Sequence, residues 1–256
     1  MASNESKSKT LGVALLLCLV CSVIVSLAAV LLKDAQVVNK SLDRKRNILQ
    51  AAGMFQEGVD VSLQFKQITP KVVELRTGKF VEDINTDTFD QRKTAKDLAR
   101  STSLVRDQDV AKISRLENYA LVYLVGDQDD LNKVILPVRG YGLWSTLYGF
   151  LALEQDANTI AGLGFYEHGE TPGLGGEIDN PRWKSLWPGK IVYSDQDVAI
   201  RLIKGTVDTS RQGAESQVDG LSGATLTSKG VTNLLQFWLG DNGFGLFLHN
   251  LRTGEA

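Results

Sequence analysis

The chain has 256 residues, 43% of them hydrophobic and 23% charged, with a formal net charge of -2. That length and mixture suit one large globular domain with an appendage, and exclude a disordered or low-complexity chain. So even a balance of charge leaves no basic footprint, and no nucleic-acid partner is expected.

The first predicted element is a membrane span. Residues 1–10 form a polar tail, and Leu11 to Leu32, "LGVALLLCLVCSVIVSLAAVLL", runs 22 residues without a charge. At 1.5 Å per residue such a helix crosses a hydrocarbon core of about 30 Å. A cleaved signal peptide has a shorter apolar core, roughly 7 to 15 residues, and an A-x-A-like site that is not evident here. Cys18 and Cys21, the only two cysteines, lie inside the run. They read as small packing residues, because a tetrahedral zinc would need two further ligands. Lys7 and Lys9 precede the span, whereas Lys33, Lys40, Arg44, Lys45 and Arg46 follow it. A count of flanking positives therefore puts the long C-terminal part in the cytoplasm, although large domains are exported largely regardless of such charges. With no ionisable residue in its apolar run, the span does not form an ion path by itself.

Asn39 to Phe55, with apolar residues at Leu42, Ile48, Leu49 and Ala52, predicts a juxtamembrane helix. Val59 to Thr77 predicts a second helix, and Asp83 to Asp109 a polar connection. Five β-rich runs follow: Tyr119 to Val125, Lys133 to Val138, Trp144 to Leu153, Thr159 to His168 and Asp197 to Gly205. A helical run, Val231 to Leu239, closes the chain. The expected class is α+β, a single transmembrane helix over residues 11–32 followed by a soluble domain over residues 33–256, its predominantly antiparallel sheet flanked by helices.

Conventional catalytic groups are scarce. His168 and His249 are the only histidines and the soluble part holds no cysteine, so no catalytic residue and no metal site is assigned. Gly162 to Gly176, "GLGFYEHGETPGLGG", is dense in glycine. It either forms a loop with several residues at positive φ or lets the backbone approach a flat ligand, with Glu170 and Thr171 bonding to its edge. No G-x-G-x-x-G opens a helix there, so a Rossmann dinucleotide site is not indicated.

Asp219 to Gly230, "DGLSGATLTSKG", precedes the last helix and offers Ser222, Thr225, Thr227 and Ser228 as N-caps. A helix start carries unpaired N–H groups and roughly half a positive charge, which suits a phosphate. A hydroxyl-rich cap that binds nothing is the competing reading. Lys229 reads as a solvated charge, and Trp144, in "GYGLW", as either a wall for a flat ring or a core aromatic.

Asp219, Ser222, Gly223, Ala224 and Thr225 match, residue for residue, the covalent flavinylation motif D-x-x-S-G/A-A-T. With the "GETPGLGG" loop and the N-terminal anchor, the chain resembles over essentially its whole length a family of FMN-binding bacterial membrane oxidoreductase subunits. That family includes the C subunit of the Na⁺-translocating NADH:quinone oxidoreductase. The G subunit of the Rnf ferredoxin:NAD⁺ oxidoreductase is similar in the same features, but "NILQAAG" (Asn47 to Gly53) looks more like the quinone-reductase member. The resemblance implies FMN joined through its phosphate to Thr225 by a flavin transferase that recognises Asp219. Ser222, Gly223, Ala224, Leu226 and Thr227 would surround the phosphate, and Trp144, Glu170, Thr171, Leu174 and Gly175 the ring. It further implies an electron carrier of the inner membrane, its large domain periplasmic, whose partners are the other subunits, the transferase and the lipid bilayer. Two other classes compete: an anchored module with a non-covalent ligand, and a purely structural assembly subunit.

Overall fold

The computed structural model describes residues 6–127 and 130–256. Two compact units divide between Arg44 and Lys45. Of the expected tail, residues 1–5 lie outside the described residues, and residues 7–10 already belong to the first helix, α1 (Lys7–Ala51). Among the described residues α1 alone is long and apolar enough to cross a membrane. Residues 11–32 are exposed along its whole circumference, both cysteines included, an apolar surface whose natural cover is lipid or other membrane helices. The helix runs on past Leu32 because no Pro or Gly interrupts residues 33–52, and it ends where Gly53 takes a left-handed φ of 68°.

The second unit starts with the last turns of α1 and α2 (Val61–Phe65), whose N-cap Asp60 accepts the amides of Ser62 and Leu63. The helix expected over Val59 to Thr77 is corrected here, since from Ile68 the chain is strand β1 (Ile68–Glu74). Pro70 cannot sit inside a helix, and the β-branched Ile68, Thr69, Val72 and Val73 favour pleated pairing. The polar connection likewise holds more than a loop. After β2 (Lys79–Val81) come α3 (Gln91–Lys96), β3 (Ser101–Ser103) and β4 (Arg115–Glu117).

Four long strands then build the sheet: β5 (Tyr119–Asp127), β6 (Asp130–Tyr141), β7 (Thr146–Glu154) and β8 (Ile160–Glu167). The order is β2-β1-β5-β6-β7-β8, antiparallel throughout. After α4 (Pro181–Lys184), β9 (Tyr193–Ser194) and β10 (Asp197–Val198) make a small hairpin, and β11 (Arg201–Ile203) pairs in parallel with β12 (Gln217–Asp219). The strand expected over Asp197 to Gly205 is thus split, because the chain turns where the amides of Ala199 and Ile200 both donate to the Val192 carbonyl. Two helices, α5 (Thr225–Leu239) and α6 (Gly245–Thr253), finish the fold.

Both faces of the sheet are covered, which explains why "YALVYLV" is apolar throughout instead of alternating. Ala120, Val122 and Leu124 join one core with Leu234, Trp238 and Phe247 of the closing helices. Leu121, Tyr123 and Val125 join the other with Ile48, Leu49 and Ala51 of the end of α1.

Within this frame, among the described residues, the Arg139–Glu117 ion pair is buried. Arg139 on β6 donates to both oxygens of Glu117 on β4, each at 2.6 Å, and Gln91 of α3 donates to Oε1 at 2.6 Å. The Arg139 carbonyl accepts the indole N–H of Trp238 at 2.7 Å, so the same strand position grips α5. Glu117 is 1% exposed, and removing its charge would strand a buried guanidinium, at a cost of about 3–5 kcal/mol. Glu117→Gln should therefore lower the denaturant midpoint of the full chain in detergent by that equivalent; a change under about 1 kcal/mol would contradict a stabilising role for the pair.

Candidate functional site

Helix α5 starts without a capping side chain. Its N-cap is Ala224, and none of the four expected hydroxyls fills the role. The Ser228 hydroxyl accepts the Leu221 amide at 2.9 Å and donates to the Ala224 carbonyl at 3.1 Å, and Thr227 Oγ1 donates to Glu170 at 2.6 Å. Ser222 and Thr225 are exposed. Gly223, at φ 72°, turns the chain into the helix. Among the described residues no acceptor meets the amides of Thr225, Leu226 or Thr227, so the positive end of a 15-residue helix faces outward beside a free hydroxyl.

Glu170 stands behind this helix start. Its side chain is buried, and four protein donors fill its oxygens. The amides of Leu143, Trp144 and Ser145 donate to Oε1 at 3.1, 2.9 and 3.3 Å, and Thr227 donates to Oε2. A Cβ at Gly142 would stand 2.7 Å from Oε1, and one at Gly175 2.7 Å from Oε2, so both positions need glycine for close approach. The Glu170 amide in turn donates to His168 Nδ1 at 3.2 Å, and His168 Nε2 lies 2.7 Å from Asp179 Oδ2. In the neutral ring that pattern places the proton on Nε2, an assignment read from the partners.

Around the helix start the surface is apolar. Trp144 is 66% exposed, Leu226 58% and Leu174 45%, with Tyr141 and Leu143 alongside. Trp144 is thus no core aromatic. Leu174 reaches to 3.0 Å of where a Gly223 Cβ would be, and a Gly230 Cβ would stand 2.6 Å from the Tyr141 carbonyl. Hence the glycine loop and the turn at 142–145 meet the first turns of α5, at Gly223, Thr227 and Gly230. Thr171 is exposed, its carbonyl accepting the amides of Leu174 and Gly176. Lys229 is exposed. Asp219 points elsewhere: its Oδ1 accepts the Val207 amide at 2.8 Å, and its carbonyl accepts the Trp183 indole at 3.1 Å.

Tyr141, Leu143 and the Glu170–Thr227 bond are parts of the site that sequence reading does not single out. The two apolar residues flank Trp144 in a glycine-bounded turn, a signal that could have found them. The bond joins positions 57 residues apart and has no local signature.

These residues fit a flavin mononucleotide. Free first-turn amides and a hydroxyl suit its phosphate, and exposed aromatic and aliphatic walls suit its ring. Residues 142–240, which include Trp144, Glu170, Leu174 and Thr225, match the family described as FMN-binding domain. The C subunit of the Na(+)-translocating NADH-quinone reductase of Pseudomonas aeruginosa is 56% identical over 100% of both chains. The protein of the same name from Vibrio alginolyticus is 51% identical, over 99% of this chain and 98% of its own. The crystal structure of Shewanella oneidensis NqrC superposes with a TM-score of 0.76 at 40% identity, covering 84% of this chain and 99% of that one. With identity of this extent, the chain is a member of the NqrC family, the C subunits of Na⁺-translocating NADH-quinone reductases.

Burial raises the pKa of Glu170, but hydrogen bonds from Thr227 and from the amides of Trp144, Leu143 and Ser145 outweigh it and hold the carboxyl below its ordinary value. A carboxylate depressed in the folded state adds stability above its unfolded pKa, about 4.3, and that stability is lost as pH falls through the folded value. Thermal melts of the wild type should therefore fall more steeply below about pH 4 than those of Glu170→Gln, and run parallel above about pH 6. Equal acid slopes would show that the carboxylate carries no such charge-dependent stabilisation.

Proposed function

We propose that this chain is the electron-carrying flavoprotein subunit of a membrane NADH-quinone reductase that exports Na⁺, with FMN held by a phosphoester to Thr225. The observation that carries the reading is the uncapped start of α5. Three amides there lack an acceptor, and the Thr225 hydroxyl lies exposed among them. A phosphate on that oxygen would satisfy those amides and the helix dipole together. In forming the ester, Thr225 Oγ loses its proton and gains a bond to phosphorus. The transferase's flavin donor releases the group that it carried there, so the chain gains FMN less one water.

The walls favour a tether. Trp144, Leu174 and Leu226 are exposed, whereas a site that retains a free ligand normally encloses most of its surface. A ring held only by such an open slot is lost on dilution, and a covalent bond removes that loss. When bound, FMN supplies storage of one or two electrons. The chain's own part is to seat the phosphate with the amides of Thr225, Leu226 and Thr227, with Ser222 beside them, and to flank the ring with Trp144 and Leu174. We assign Asp219 to recognition by the flavin transferase before attachment. The other reductase subunits supply and remove the electrons, since no nucleotide fold is present for NADH among the described residues. We place α1 in the lipid of the inner membrane and the unit from Lys45 onward in the periplasm, against the count of flanking positive charges.

Intact mass after denaturation tests the linkage. Expressed with a flavin transferase, the chain should gain one FMN less one water, and Thr225→Ala should gain nothing; an unmodified wild-type mass would leave a non-covalent ligand module as the better reading. Protease added to spheroplasts should digest the flavin-bearing unit, and its protection would put that unit in the cytoplasm.

A further inference from the structure

We propose that Glu170 is a positioning residue of the flavin slot: its buried carboxylate locks the Trp144 wall to the first turn of α5, fixing where a ring tethered at Thr225 can lie. This rests on the Thr225 reading above and extends it to a group that the protein, not the cofactor, engages.

The geometry points there for three reasons. Every oxygen of the carboxylate is already committed: three consecutive amides converge on Oε1 and one hydroxyl on Oε2. Consecutive N–H groups closing on one oxygen form a nest for an anion, and an ionised carboxylate accepts at both oxygens at once. Little room remains for it to move, because Gly142 and Gly175 press on it from two sides.

What the carboxylate joins is more telling. Thr227 lies two residues beyond Thr225, on the helix that seats the phosphate. Trp144 lies at the centre of the three bound amides, and Leu174 belongs to Glu170's own loop. The Trp144 indole is mostly exposed, so core packing does not hold this wall. The turn is closed by the Gly142 amide, which donates to the Ser145 carbonyl at 2.8 Å, and is tied down by Glu170, by the Gly169 amide donating to Ser145 Oγ at 2.6 Å and by the Tyr141 hydroxyl donating to the Trp144 carbonyl at 3.3 Å. Thr227 is fully buried, and its hydroxyl has no water to turn to if the carboxylate is removed.

Glu170→Ala, Glu170→Gln and Thr227→Val in the full chain test this, with Thr225→Ala as control. Amide exchange is read on each chain made without transferase, and the visible circular dichroism of the flavin on each chain made with it. Glu170→Ala should speed exchange of Leu143, Trp144 and Ser145 by about 10-fold or more while the β5–β7 amides keep their protection. Glu170→Gln, which retains one acceptor oxygen for those amides, should restore most of that protection. Glu170→Ala and Thr227→Val should both retain the mass of attached flavin yet alter its dichroism. If Glu170→Ala unfolds, Thr227→Val carries the test through the dichroism. Unchanged exchange at 143–145, or wild-type dichroism in Thr227→Val, overturns the proposal. A wild-type chain without attached flavin instead overturns the Thr225 reading, and the exchange data still decide whether Glu170 holds the turn.

Discussion

Three backbone N–H groups at the start of α5 need an acceptor, and among the described residues no side chain supplies one. Most helices solve this with a Ser, Thr, Asp or Asn at the N-cap. Here the N-cap is Ala224, and the nearby hydroxyls are turned to other tasks. Ser228 closes the preceding turn, Thr227 binds Glu170, and Thr225 and Ser222 face outward. The proposed phosphate ester on Thr225 would bring an anion to a place where helix dipole, amides and hydroxyl coincide.

The remaining architecture keeps that helix end still. Trp238, in the last turn of α5, donates into the strand that carries the buried Arg139–Glu117 pair. Close to its first turn, Glu170 ties the helix to the turn that presents Trp144. Between the two ties, Val231, Leu234 and Leu235 bury the helix against a sheet covered on both faces. An open site with exposed walls can be geometrically defined only if its supports are rigid, and these supports are buried polar contacts set in close-packed apolar layers.

How much of this was legible in the sequence follows from how local each signal is. The long apolar helix, the long strands and the glycine-flanked helix start are encoded over a few successive residues, and they are readable there. Thr225, Trp144 and Leu174 can be named from motif and turn composition, and all three are exposed. The misread segment, Val59 to Thr77, is one where a five-residue helix and a strand abut, so neither period persists long enough to show. Caps were expected at hydroxyls because propensity says so, and tertiary partners claimed those hydroxyls instead. Glu170 with Thr227, and Glu117 with Arg139 and Gln91, are side chains brought together over 22 to 57 residues. No local pattern announces them.

If the start of α5 seats the flavin phosphate as proposed, amide resonances report on it most directly. Spectra of the full chain matured with and without a flavin transferase should differ most at the N–H groups of Thr225, Leu226 and Thr227. Their proton shifts should move downfield as they gain a charged acceptor. If those three amides were unmoved while flavin was bound, the phosphate would lie elsewhere and the uncapped helix start would have no part in holding it.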